Sequence, residues 1–104
     1  MNEYEKSHKS NLTEEFKMTE RLKDFIKNIK SEEDFVKGII VQEEIYNVWI
    51  VIKEACFKEN KKYFKHARDY KKNSNIDFNI TIFSEEEIEE IKEELKSYSQ
   101  YEVF

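Results

Sequence analysis

No proline occurs in the 104 residues, and glycine occurs once, at Gly38. Those absences exclude a flexible linker and a Gly-rich loop for cradling phosphates. Cysteine is also single, at Cys56. One thiol excludes an intrachain disulfide and a cysteine-based zinc site, and a reducing cytosol is the simplest compartment. The stretch Met1-Asn2-Glu3-Tyr4-Glu5-Lys6 has no apolar core and does not read as a signal peptide. The longest unbroken apolar run, Val48 to Ile52, is far too short to cross a bilayer. A soluble, cytoplasmic protein with no membrane contact is expected.

Catalytic signatures are missing as well. There is no Gly-Lys-Ser/Thr loop, no Gly-x-Gly-x-x-Gly and no Gly-x-Ser-x-Gly. His8 falls in a polar stretch and His66 in a Lys-rich helical segment. Cys56 and His66 would be separated by about 15 Å of helix rise, too far to share a proton. Cys56 therefore reads as a small packing residue and His66 as a surface helix residue. Glu85, Glu86, Glu87, Glu89, Glu90, Glu93 and Glu94 form a solvated helix face. Glu43, Glu44 and Glu54 flank strands and could share a cleft, but no His or Asp triad supports them. No catalytic, cofactor or metal residue is assigned, and a non-enzymatic protein is expected.

What the chain does have is rings. Eight Phe, six Tyr and one Trp supply core area despite 39% charged residues. The length suits one domain, with residues 1–10 as a flexible tail and 11–104 folded. The preference for Lys, Glu, Ile and Asn over Arg, Ala, Gly and Pro is that of an AT-rich genome.

Asn11 and Glu14 have capping-box spacing, and Met18, Leu22, Phe25, Ile26 and Ile29 then repeat with helical period. A first strand is expected at Phe35 to Glu43, paired antiparallel through Glu43-Glu44 with a second at Tyr46 to Lys53. Cys56 to Lys72 reads as a helix with Asn60, Tyr63, Phe64, Ala67 and Tyr70 on one face, ended by Asn73-Ser74-Asn75. The alternation from Ile76 to Phe83 is a third strand. Ser84 and Glu87 form a second capping box ahead of an acidic helix with the stripe Ile88, Ile91, Leu95 and Tyr98. Val103-Phe104 would fold back as an apolar latch. The predicted fold is α+β: a small two-layer sandwich in the order α-β-β-α-β-α, with a three-stranded mixed sheet containing a right-handed βαβ unit.

The run Asn47-Val48-Trp49-Ile50-Val51-Ile52 followed by Ile76-Asp77-Phe78 resembles the core of small nucleotidyltransferase-like domains, over about half the chain. That resemblance implies metal-binding acids where this chain has Asn47 and Trp49, and a Gly-Ser pair where Gly38 precedes Ile39. Only Asp77 matches the third acid. A site with one carboxylate of three cannot hold the divalent ions of phosphoryl transfer, so the resemblance implies a catalytically silent relative.

Charge is the remaining signal. Lys58 to Lys72 holds seven basic residues against two acidic ones, whereas Glu85 to Lys96 holds seven acidic against two basic. The reading ranked first is a protein-interaction or regulatory module, binding a protein partner or a second copy through an uncovered sheet face near Tyr46 or Trp49, or through its oppositely charged helices. The alternative is nucleic-acid binding by Lys58, Lys61, Lys62, Lys65, Arg68 and Lys72, with Tyr63, His66 and Tyr70 nearby for stacking. Ile50→Asp or Ile80→Asp is expected to unfold the domain, and Lys62→Asp to leave its stability almost unchanged.

Overall fold

Apolar side chains alternate between the two sheet faces from Ile39 to Val41 and from Val48 to Ile52, and the helices sort themselves by which half of that alternation they cover. The computed structural model describes residues 17–54 and 56–104. The expected tail at residues 1–10 and the Asn11–Glu14 capping box lie outside them. The elements are helix α1 (residues 17–29), strands β1 (Phe35–Val41) and β2 (Asn47–Ile52), helix α2 (Phe57–Ser74), strand β3 (Asn79–Ser84), a single 3₁₀ turn (Glu85–Glu87) leading into α3 (Ile88–Leu95), and strand β4 (Tyr101–Val103).

The strands form one mixed sheet in the order β3-β2-β1-β4. β1 runs antiparallel to both β2 and β4, and β2 runs parallel to β3 across the α2 crossover. The β1–β2 hairpin and the parallel β2–β3 pair are as expected. The expectation of three strands fails at the C-terminal end. There Tyr101–Val103 pairs with β1, and Phe104 exchanges both backbone hydrogen bonds with Gly38, at 2.7 and 3.1 Å. The anticipated fold-back is thus a strand, which makes the order α-β-β-α-β-α-β.

The two-layer expectation also needs correction. Ile40, Val48, Ile50 and Ile52 face α1 and α2, packing with Leu22, Phe25, Ile26, Ile29, Tyr63, Ala67 and Phe78. Ile39, Val41, Trp49 and Val51 face the other way, against Ile91 and Leu95 of α3. Both sheet faces are therefore covered, which is why β2 reads as a continuous apolar run. Burial of β2 is complete or nearly so from Val48 to Ile52.

Local chemistry sets the element ends. α2 continues to Ser74, two residues beyond expectation, and stops where Asn75 takes the left-handed conformation at φ 53° with its N–H on the Lys71 carbonyl. Asn tolerates that region better than other L residues except glycine. The backbone N–H of Ser84 donates to the Glu87 carboxylate at 3.0 Å, the reverse half of the expected capping box. Gly38 has a steric role. A Cβ there would lie 3.2 Å from two Ile26 carbons, so the bare backbone lets α1 settle onto β1.

Candidate functional site

Two polar features flank α2, one on each side of its buried face. The first joins α2 to the loop between α1 and β1. The Lys62 ammonium sits among three carboxylates, 2.6 Å from Glu59, 2.9 Å from Asp34 and 3.0 Å from Glu32. The Tyr63 hydroxyl donates to Asp34 at 2.7 Å, and His66 Nε2 lies 3.3 Å from the other Glu32 oxygen. Hydrogen bonding to Lys62 holds the Glu32 carboxyl below its usual range. Burial pushes Asp34 up, but its bonds from Tyr63 and Lys62 outweigh that and the net direction is downward. The Glu59 bond, with those to Asp34 and Glu32, drives the Lys62 ammonium upward against its desolvation. Burial, then the Asp34 bond, keeps Tyr63 protonated.

This cluster sets one ammonium against three carboxylates. The ammonium stands where a cation would have to sit, and among the described residues no group of three or more His, Cys, Asp and Glu side chains is arranged to hold a metal ion. Its chemistry is that of a tie between elements. Lys62, expected on the nucleic-acid face, is paired here instead, so its ammonium already has carboxylate partners although its side chain is partly exposed. The expectation that Lys62→Asp is harmless falls with it.

The second feature is the outer surface of α2. Lys58, Lys61, Lys65, Arg68 and Lys72 are exposed there at helical spacing, over about 21 Å of rise. None of the five makes an ion pair among the described residues. Phe64 stands beside them, 52% exposed. It had been expected on the buried face with Tyr63, Ala67 and Tyr70. The helix geometry explains the difference: Phe64 lies about 80° around the helix from the centre of that face, at its rim. A helical-wheel reading centred on the two buried positions, Tyr63 and Ala67, carries this signal, whereas grouping residues by i, i+3 and i+4 hides it.

Phe64 is on the β3 side of α2. A groove of about 610 Å³ runs there, lined by Phe64, Ala67, Ile76 and Ile80 together with Arg68 and Lys72. Lys71 also borders it and is paired with Asp77 at 3.7 Å. Asp77, which the transferase resemblance matched to a metal-binding acid, precedes β3 and is mostly exposed.

The other expected binding residues fare differently. Trp49 is 3% exposed, with Phe83 at 5.2 Å and Tyr98 at 5.6 Å between ring centroids, so α3 closes the face on which it stood as a partner contact. Tyr46 is half-buried and packs against the α1/α2 core. Tyr63 is fully buried, and the Tyr70 hydroxyl donates to the Arg21 carbonyl at 2.7 Å. Cys56 is exposed at the start of α2 and is not a packing residue. Glu43 and Glu44 lie at the opposite end of β2 from Glu54, so they share no cleft with it.

α2 and α3 cover opposite faces of the sheet, which places the basic and acidic surfaces on opposite sides of the molecule. Among the described residues no helix is long and apolar enough to cross a membrane. Comparison with family models, with curated proteins and with solved structures found no match.

Proposed function

We propose that this chain is a non-enzymatic interaction module that holds a protein partner on the outer side of α2. The observation that carries the reading is Phe64, half-exposed beside five cations that have no carboxylate partner among the described residues. An aromatic ring ringed by cations is the composition of an interface anchor, where burial of the ring supplies affinity and the charges select the partner. The likeness to nucleotidyltransferase-like domains adds a silent relative to this picture, with Asn47 and Trp49 in place of two metal-binding acids.

The test is capture from nuclease-treated lysate by immobilised wild type and Phe64→Ser. A protein held by wild type and lost by the variant, with both folded by circular dichroism, supports the reading. Equal recovery by both would sink it.

The second reading is nucleic-acid binding, favoured by the strip Lys58, Lys61, Lys65, Arg68 and Lys72, which has no ion-pair partner among the described residues. With Trp49 and Tyr63 buried, Phe64 is the half-exposed ring beside that strip. Fluorescence anisotropy with a single-stranded oligonucleotide decides it. Contact with five phosphates gives a log–log salt slope of about −3.5. The triple variant Lys61→Glu, Lys65→Glu, Arg68→Glu removes the binding if the reading holds, and equal binding by wild type and variant removes the reading.

A further inference from the structure

The two edges of the sheet are protected very differently. β4 is three residues long and carries Glu102, which lies 3.8 Å from Lys23. Short length and a charge are the usual ways of blunting an edge. β3 has neither. Its six residues, Asn-Ile-Thr-Ile-Phe-Ser, include no charge and no proline, and they pair with β2 in unbroken register from Asn79 to Ser84. Among the described residues no strand lies beyond β3.

Which backbone groups this leaves open follows from the ladder. The Asn79 N–H donates to the Tyr46 carbonyl at 2.9 Å, so residue 79 faces β2. Parallel strands alternate sides, so Thr81 and Phe83 also bond inward, while the N–H and C=O of Ile80 and Ile82 point outward. The side chains of Ile80 and Ile82 are only partly buried and lie on the α2 side. The groove that holds Phe64 opens beside them, with Arg68 and Lys72 alongside.

We infer that β3 accepts an additional strand from a partner, an extended segment that presents on one face apolar side chains flanked at both ends by acidic ones. This rests on the proposed role of the α2 outer face and specifies how the partner is held. The segment's backbone pairs with Ile80 and Ile82. Its apolar side chains, all on one face by the two-residue period, enter the groove against Phe64 and Ile80. Its flanking carboxylates meet Arg68 and Lys72. Charge selects a foreign acidic segment over a second copy. Antiparallel β3–β3 pairing about a two-fold axis normal to the sheet would set α2 beside α2 and α3 beside α3, bringing like charges together on both faces.

The test uses a panel of labelled nine-residue peptides, acetylated and amidated, in which every second residue faces the groove: Val, Ile or Phe at the central positions of that face, Glu at its two ends, and Ser or Thr between. Binding is read by anisotropy, and amide exchange at Ile80 and Ile82 by NMR. Each binder is remade with N-methyl groups on alternate amides, in each of the two phases. One phase is expected to weaken binding by about tenfold or more through lost backbone bonds, and the other to leave it nearly intact. Exchange at Ile80 and Ile82 slows on saturation, and Phe64→Ser weakens binding. If neither methylated phase matters and those amides are unprotected, strand addition is wrong while binding at the α2 face stands. Binding unaffected by both methylation and Phe64→Ser would remove the underlying reading too. Absence of binding by every peptide at about 1 mM overturns the inference. A dimer of the chain alone with Ile80 and Ile82 already protected also overturns it, because the occupant is then a second copy.

Discussion

Lys62 shows how little residue type says about role. It is one of seven basic residues between Lys58 and Lys72, yet it alone is enclosed by Glu32, Asp34 and Glu59. Lys62→Met leaves three carboxylates facing one another without their cation. Its side chain is 32% exposed, so the cost falls between those of surface and buried pairs, about 1–2 kcal/mol by urea denaturation. Lys61→Met, with no such partners among the described residues, should change stability by less than about 0.5 kcal/mol. Gly38→Val presses side-chain atoms into Ile26 at the closest α1–β1 approach and should cost about 1–3 kcal/mol, with part of the loss recovered by Ile26→Val in a double-mutant cycle. Ile50→Asp should unfold the domain, since Ile50 is fully enclosed. Ile80→Asp should be milder than the sequence suggested, because Ile80 sits half-exposed on an edge strand.

At the scale of elements, the Lys62 cluster ties the α1–β1 loop to the side of α2, and its titration should be visible in stability. Glu32 and Asp34 are depressed, so their contribution is complete above the ordinary carboxylate range and is lost as the pH falls through their lowered values. Lys62 is raised, so its share is present below the ordinary lysine range and is lost only in strong alkali. The denaturation midpoint should be flat from about pH 6 to 9 and fall below about pH 4. In Lys62→Met the carboxylates repel, their protonation becomes favourable, and the midpoint should rise as the pH drops from about 7 to 5. Parallel pH profiles for the two proteins would refute this account of the tie.

For the molecule as a whole, the short β4 has an effect beyond its length. Deleting residues 101–104 turns β1 into an edge and uncovers Ile39 and Val41, both almost fully buried in the intact chain. The expected loss is about 2 kcal/mol or more, with concentration-dependent association detectable by sedimentation. The opposite placement of the α2 and α3 charges works at the same scale. It gives the molecule a cationic side suited to an acidic partner although its net charge is −5.

Local pattern in the sequence determined most of the elements. Short β-prone apolar runs marked β1 and β2, a period-two alternation marked β3, period-3.6 stripes marked the three helices, and the Ser84–Glu87 spacing marked the start of the last one. Each of those signals depends on neighbours within a few residues, so one chain reading suffices. Other features required contacts between segments distant in sequence. Nothing in Tyr101-Glu102-Val103 names β1 as its partner, because a three-residue edge strand has no period of its own to read. Trp49 disappeared under α3 because the acidic helix crossed to the face opposite α2, a choice made by packing and not by either helix's composition. Lys62 and Phe64 exchanged their expected places for the same reason. Helical phase alone put each at the rim of α2, and the distant carboxylates of Glu32 and Asp34 on one side and the open groove at β3 on the other gave the rims their opposite character.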